Sequence, residues 1–387
     1  MQDRKPREGI NMGVTILHTA DLHIDSSFGF LPQEKAAIRR EGQFRILEEI
    51  VSAAERYRVD AVLICGDLFD KPIVSFDVAN RVANILSRTS IPIFITPGNH
   101  DYFHASSPYN LTVWPDNVRI FHTTVIEKVE LENLVVYGAG FTSQNMFRSA
   151  LNDYISSHGS MTGSLHDGKL SVMMLHGELN PPEPRYHPLY MKDIEASGVD
   201  YLALGHVHAR SDPQRSGKTI YAYCGCPEGR GFDETGSRGI YLVDLGDTVK
   251  ISFLPLNGAR YYDLTVDLSS SQSPEKAVAQ ALPADMKDSL LRITLTGEIE
   301  PDKLSVDEIE GRISASAFYV NIVDCTSPPL NLWEQCGDDS LKGIFLALLK
   351  EKLNEDPGNE ERKLIELAAR YGLDALSGKE YVFHDNS

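Results

Sequence analysis

The stretch Ala61-Val62-Leu63-Ile64-Cys65-Gly66-Asp67-Leu68-Phe69-Asp70 runs through five apolar residues, turns at a glycine and ends on carboxylates. A continuous apolar run of that length, closed by glycine, reads as a strand buried on both faces. Four other runs end the same way. Val14-Thr15-Ile16-Leu17 leads to Asp21-Leu22-His23, and Ile91-Pro92-Ile93-Phe94-Ile95 leads to Gly98-Asn99-His100-Asp101. Leu170-Ser171-Val172-Met173-Met174-Leu175 leads to His176-Gly177, and Tyr201-Leu202-Ala203-Leu204 leads to Gly205-His206-Val207-His208. Between the first three runs, Phe44, Leu47, Ile50, Val51 and Ala54 form one helical stripe, and Val78, Val82, Ile85 and Leu86 form another. Strand alternating with helix predicts an α/β fold with right-handed crossovers and a largely parallel sheet. Ligands collect at the carboxyl ends of such strands, where all five polar clusters fall.

Asp, Asn and His bind hard to borderline divalent cations through carboxylate oxygen, amide oxygen and imidazole nitrogen. Asp21 and His23, two residues apart beyond a strand, can face one ion. Asp67 follows a glycine that admits close backbone approach, and its carboxylate can bridge two ions. Asn99 offers a neutral oxygen, and His176, His206 and His208 complete the set. The expected sites are Asp21, His23, Asp67 and His208 for one ion, and Asp67, Asn99, His176 and His206 for the other. Mixed nitrogen and oxygen donors suit manganese, iron or zinc, and disfavour calcium or a closed thiolate zinc site. A lone Asp-X-His is mostly a loop or a cap, and Gly-Asp-Leu-Phe-Asp alone would be a turn. The ordered set of five carries the inference. The other histidines (His18, His104, His122, His158, His166, His187 and His384) read as structural or solvated, with His104 and His187 as rim options. Asp70 and Asp25 read as loop or supporting residues.

The chain has 387 residues, 42% hydrophobic and 24% charged, enough for two or three globular domains. No apolar run approaches the ~18 residues of a membrane-spanning helix, and residues 1–11 read as a charged tail without a secretory h-region. Five scattered cysteines argue for a reducing cytoplasm. Cys224-Gly225-Cys226 has no second pair and reads as packing. The formal charge of −18 opposes tight non-specific binding to nucleic acid.

Asp-X-His, Gly-Asp-X-X-Asp, Gly-Asn-His-Asp, His-Gly and Gly-His-X-His, in this order, resemble the calcineurin-like metallophosphoesterase superfamily. The resemblance covers about residues 12–258 and implies a four-layer α-β-β-α sandwich. Within it, Thr19-Ala20-Asp21-Leu22-His23 and Gly66-Asp67-Leu68-Phe69-Asp70 are similar to the SbcD-type DNA repair nucleases. Tyr223-Cys224-Gly225-Cys226-Pro227-Glu228-Gly229-Arg230-Gly231-Phe232 resembles the signature of their YhaO-like branch, which commonly has Pro and a small polar residue in place of the two cysteines. What the resemblance implies is a nuclease with two divalent ions, manganese first, hydrolysing DNA phosphodiesters as an exonuclease and also, as an option, an endonuclease. The matching histidine of the family approaches the phosphate and leaving oxygen, so His100 is expected as general acid or transition-state stabiliser and holds no metal. Asp101 then either orients that imidazole or serves the backbone. A phosphoesterase for a nucleotide or other small phosphodiester is the alternative on the same fold. A non-catalytic interaction module is a further one, although no ligand is replaced.

After Gly258, Tyr261–Leu268, Leu290–Leu295 and Phe318–Val323 read as strands with helices between them. The resemblance implies that this region, 259–327, is a small α+β capping domain that selects DNA. Pro328-Pro329 then interrupts the chain. Leu341, Ile344, Phe345, Leu348, Leu349 and Leu353, followed by Leu364, Leu367, Ala368 and Leu373, form two apolar helical stripes. Such helices either pack on their own domain or, as in the family, dock on an SbcC-type coiled-coil ATPase, so 328–387 is the expected partner-binding segment. DNA and that ATPase are the expected partners, with a homodimer as an option and no membrane.

Overall fold

The computed structural model describes residues 13–159, 168–269, 271, 273–327, 329, 333, 336–355 and 357–376. The tail read over residues 1–11, and His166, Pro328 and His384, lie outside the described residues. By internal contacts the chain forms two compact units. One holds the residues up to Leu264 with Pro283–Arg292 and Ile313–Asn321; the other holds Thr265–Leu282, Ile293–Arg312 and the residues from Ile322 onward.

The first unit is built on two six-stranded sheets. One has the order Lys250–Pro255, Gly239–Leu245, Val14–Thr19, Ala61–Cys65, Ile93–Thr96, Val118–Ile120. The other has the order Gln214–Ser216, Thr219–Tyr223, Tyr201–Gly205, Leu170–His176, Leu134–Gly138, Glu127–Glu130. Central strands pair in parallel, and antiparallel strands close three of the four edges, the fourth being Val118–Ile120, which joins in parallel. The five apolar runs are all strands, but they are divided between two sheets. Hydropathy does not distinguish one sheet from two, because each strand is apolar on both faces in either case.

The alternation of side chains builds the layers. Val14, Ile16, Leu63, Cys65 and Phe94 of the first sheet join Val136, Val172, Met174, Tyr201 and Ala203 of the second in one buried cluster, the seam between the sheets. Their neighbours along the strands, Leu17, Val62, Ile64, Ile93 and Ile95, face the other way and pack with Phe44, Leu47, Ile50, Val51 and Ala54 of the helix Gln33–Tyr57 and with Val82, Ile85 and Leu86 of Phe76–Leu86. On the far side Val135, Met173, Leu175, Leu202 and Leu204 pack with Ala150, Leu151 and Ile194 from the helices Ala150–His158 and Met191–Ser197. Helix, sheet, sheet, helix is therefore the layering. Ser75 caps the second helix by accepting from Val78 N at 3.3 Å.

The loop after Thr219–Tyr223 is anchored by a buried ion pair as well as by the packing of Cys224 and Phe232. Arg39 Nη1 and Nη2 each lie 3.0 Å from a carboxylate oxygen of Glu228, and both side chains are buried. Ala259 N donates to the same carboxylate at 2.8 Å. Arg39→Ala would strand the Glu228 charge in the interior, and the expected loss is about 3–5 kcal/mol. A urea titration checks it; a loss below about 1 kcal/mol would show that water reaches Glu228.

The three strands expected beyond Gly258 are present as Arg260–Asp267, Ser289–Thr296 and Tyr319–Asp324, in that order across one sheet. In the second unit the helices Leu341–Asn354 and Asn359–Leu376 pair through Phe345, Leu346, Leu349, Ala369 and Leu373. The single stripe read in the first of them divides in two. Phe345 and Leu349 enter the pairing, whereas Leu341, Ile344 and Leu348 are exposed, as are Leu364 and Leu367 on the second helix. The buried centre is Leu346, one position from the residue the spacing favoured, because the contacting face is set by the partner helix. Among the described residues no helix is long and apolar enough to cross a membrane.

Candidate metal centre

Five strands deliver the site. Asp21, Asp67 and Asn99 follow the ends of the three central strands of one sheet, while His176 and His206 end or follow two adjacent strands of the other. The turns are tight. Asp21, His23 and Asp67 hold positive φ of 55°, 47° and 50°, a conformation uncommon for residues with a Cβ. A Cβ on Gly98 would lie 2.1 Å from Asp67 Oδ1, and one on Gly205 would lie 1.7 Å from Cys65 O. Gly205 thus lets the two sheets approach at the site, and Gly98 lets the loop that carries Asn99 close on Asp67 of the neighbouring strand.

All seven expected ligands converge. Asp67 Oδ2 lies 3.6 Å from His23 Nε2 and 3.4 Å from His176 Nε2. Asp21 Oδ1 lies 3.9 Å from His176 Nδ1 and 4.0 Å from His208 Nε2. His23 Nε2 faces His208 Nε2 at 3.2 Å. Asn99 Oδ1 is 3.0 Å from both His176 Nε2 and His206 Nδ1. Asp21, His23, Asp67, Asn99 and His176 are buried, whereas His206 and His208 are half-buried and mark the open side.

Each imidazole is oriented from behind. His176 Nδ1 donates to Cys65 O at 2.9 Å, and His206 Nε2 to Glu178 Oε1 at 3.2 Å. His208 Nδ1 donates to Glu234 Oε1 at 2.5 Å. His23 Nδ1 sits 3.3 Å from Asp70 Oδ1, within ion-pair reach although bent away from hydrogen-bond geometry. The remaining nitrogens then point their lone pairs inward at other acceptors, an arrangement that only protons or cations relieve. The donor set of carboxylate, amide and imidazole fits two ions of the manganese, iron or zinc type. Among the described residues three overlapping clusters have ligand atoms within 4.8 Å of one another: Asp21, His23 and His208; Asp21, Asp67 and His176; His23, Asp67 and His100.

The electrostatics agree with a cation cradle. Burial alone would raise the Asp67 carboxyl, but the charges of His176, His23 and His100 hold it well below the usual carboxylate range. Burial opposes charge on His176, yet Asp67 and Asp21 push it up to about 9. An ion binding where Asn99 and Asp67 converge competes with a proton for that imidazole nitrogen. His206 is lowered to about 3, by burial first and then by the charge of His176. Burial raises Asp21. Burial would raise Glu234 too, but His208 and Arg230 bring it down to about 2.

His100 lies at the exposed edge of the cluster. Its backbone N donates to Asp67 Oδ1 at 2.9 Å, its Nδ1 faces Asp70 O at 3.2 Å, and its ring meets His23 edge-on at 4.8 Å. Asp101 takes the backbone role of the two expected for it. It is buried and accepts from Gly98 N at 2.7 Å, from Phe69 N at 3.0 Å and from the Tyr109 hydroxyl. Burial, then Asp67, raises it to about 6. His187 is structural, donating from Nδ1 to His176 O at 2.9 Å and accepting from Ala150 N at 3.0 Å. His104 Nε2 bonds Pro72 O at 3.1 Å. Cys224 and Cys226 are buried packing, as expected.

Glu178, Glu234 and Arg230 escaped the sequence reading. Arg230 stands inside the post-site signature Tyr223–Phe232, so position alone flagged it. Glu234 lies just beyond that signature, and Glu178 carries no signal apart from its place two residues after His176.

The family profile for calcineurin-like phosphoesterases matches residues 14–210, just over half of the 387-residue chain. The uncharacterized metallophosphoesterase YhaO of Bacillus subtilis (strain 168) is 29% identical over 275 residues, 67% of this chain and 64% of its own. The DNA double-strand break repair protein Mre11 of Sulfurisphaera tokodaii is 24% identical over 311 residues, 76% of each chain. The SbcD component of the nuclease SbcCD of Escherichia coli (strain K12) is 24% identical over 270 residues, 59% of this chain and 64% of its own. The match thus spans under two thirds of the Bacillus and Escherichia relatives. With a matching profile over more than half of its length, two facing sheets and clustered carboxylate and imidazole side chains that could hold metal ions, the chain belongs to the calcineurin-like phosphoesterase family of metal-dependent hydrolases.

Proposed function

We propose that this protein is a two-metal phosphodiesterase acting on DNA, a nuclease of the SbcD type that works in the cytoplasm with a coiled-coil ATPase. The observation that carries the reading is the arrangement of His23, His176, His206 and His208, each held from behind so that one nitrogen faces Asp21, Asp67 or Asn99. Asp21, His23, Asp67 and His208 would hold one ion, and Asp67, Asn99, His176 and His206 the other, with manganese preferred. Bound there, the ions would supply Lewis-acid charge and an activated water for in-line attack on phosphorus. His100 stands at the exposed edge with Nδ1 toward Asp70 O, which leaves Nε2 free to protonate or stabilise the leaving oxygen.

The names of the DNA-repair and nuclease relatives favour DNA as the substrate. Residues 259–327 would be the cap. Residues 328–387 would dock the ATPase through Leu341, Ile344 and Leu348, which stand exposed on one helix at spacings of three and four residues. The net charge of −18 favours the second reading, a small phosphodiester or nucleotide as substrate, and requires that the partner supply much of the grip on DNA.

The test is hydrolysis of duplex DNA, single-stranded DNA and a small chromogenic phosphodiester with Mn²⁺, alongside the double substitution Ile344→Asp and Leu348→Asp. The wild type should cleave DNA and the small diester. The variant should keep the small-diester rate and lose association with the ATPase. A protein inert on every DNA but fast on a nucleotide would establish the second reading instead.

A further inference from the structure

We propose that Arg230 is a positioning residue that sets the affinity of one metal site, that of His23 and His208, and leaves the other nearly untouched. The proposal rests on the two-metal reading above and concerns how unequal the two sites are. His23 and His208 each lean on a carboxylate, Asp70 at 3.3 Å and Glu234 at 2.5 Å. One guanidinium holds both carboxylates. Arg230 Nη1 donates to Asp70 Oδ1 at 3.0 Å, its Nη2 to Glu234 Oε1 at 3.3 Å, and its backbone N to Glu234 Oε2 at 2.7 Å.

The Nη2 is also 3.2 Å from His208 Nδ1. A nitrogen 2.5 Å from a carboxylate oxygen carries the shared proton, so His208 Nδ1 is already a donor to Glu234 and the guanidinium lies beside it. The other site is built differently. His176 leans on the carbonyl of Cys65 and His206 on Glu178, and Arg230 supports neither of these imidazoles.

The physical reason for a single arginine is geometric. A planar fork holds two carboxylates at a set separation, which a lysine ammonium, a point charge on a flexible stem, does not. Without it, Asp70 keeps only the Ser26 hydroxyl at 3.1 Å and Glu234 the backbone N–H of residue 230 at 2.7 Å beside their imidazoles, so the carboxylates lose their common charged tether and hold His23 and His208 less firmly in direction. Loss of such an outer partner typically weakens metal binding by about 10–100-fold. Arg230 also acts in the opposite sense, since its positive charge repels a nearby cation. That charge lies on a side chain 21% exposed and is partly screened, whereas direction is not screened by solvent. Orientation therefore wins. The loop stays anchored without Arg230, because Glu228 remains held by Arg39.

The experiment is a calorimetric titration of the full-length, chelator-stripped protein with Mn²⁺, followed by desalting and electron paramagnetic resonance. The wild type should take two equivalents and show an exchange-coupled pair. Arg230→Ala should retain one equivalent at near wild-type affinity, bind the second about 10–100-fold more weakly, and show an uncoupled six-line signal. Arg230→Lys should not restore the pair, and Asp70→Asn and Glu234→Gln should each weaken the same equivalent. If Arg230→Ala melts early, Arg230→Gln is read in its place. A wild type with two ions beside variants whose two affinities are unchanged, tightened or equally weakened overturns the role of Arg230. A wild type that binds fewer than two ions overturns the two-metal reading itself, and the proposal with it.

Discussion

Asp67→Ala is expected to remove tight binding of both ions and to lower phosphodiester turnover by on the order of 10³-fold or more, the scale of losing an essential preorganised electrostatic group. Among the described residues no other side chain reaches both halves of the cluster as closely. Its Oδ2 stands 3.6 Å from His23 Nε2 and 3.4 Å from His176 Nε2, and its Oδ1 accepts from His100 N at 2.9 Å. The surrounding imidazoles hold it ionised despite burial, so the full negative charge is available to cations. Asp67→Asn is the control for folding. It keeps the shape and an oxygen for the His100 N–H but removes the charge, and it should lose both ions as well. Elemental analysis after desalting checks this, with two divalent ions per wild-type chain as the reference. Two ions retained in either variant would end the bridging assignment.

His100→Ala should keep near-normal metal content and lose about 10²-fold or more in turnover, the usual scale of general acid–base assistance. The separation of the two readouts matters because His100, His23 and Asp67 have ligand atoms within 4.8 Å of one another. Position alone would therefore allow the ring to bind an ion. Its exposure and the contact of Nδ1 with Asp70 O favour a role toward substrate. The loss should be largest for a diester with a poor leaving group and smaller for an activated chromogenic one, since protonating the leaving oxygen helps most where that oxygen is basic. Metal lost in parallel with activity would make His100 a ligand.

Much of this site was legible as sequence because its parts are local. An apolar run, a glycine and a carboxylate or imidazole within four or five positions report a strand end and what it carries, and all seven expected ligands do meet in space. The α/β class was legible for the same reason, since helical and strand periods show in short windows. The role of Asp101 was not, because pinning Gly98 and Phe69 N–H groups and pairing with a histidine look alike in a one-dimensional reading. Nor was the exposed face of the helix Leu341–Asn354, where spacing marks a stripe but not which of its edges a neighbour covers.

The chain by itself determined which residues stand at the strand ends, because each is set by neighbours within a few positions. Tertiary structure decided the rest. Strand pairing divides the apolar runs between two sheets, as the family resemblance implied: Ala61 pairs with Ile16 in one, and Tyr201 with Val172 and Ile220 in the other, partners that hydropathy does not name. The supports of the imidazoles come from far along the chain: Asp70 is joined to Arg230 across 160 positions, and His176 to Cys65 across 111. Glu178, Arg230 and Glu234 are ordinary polar residues in a linear reading, and Asp70 is at most a supporting one. They acquire a role only when folding withdraws much of the surrounding water, almost fully around Glu234 and partly around the others, and brings each charge beside a polar partner.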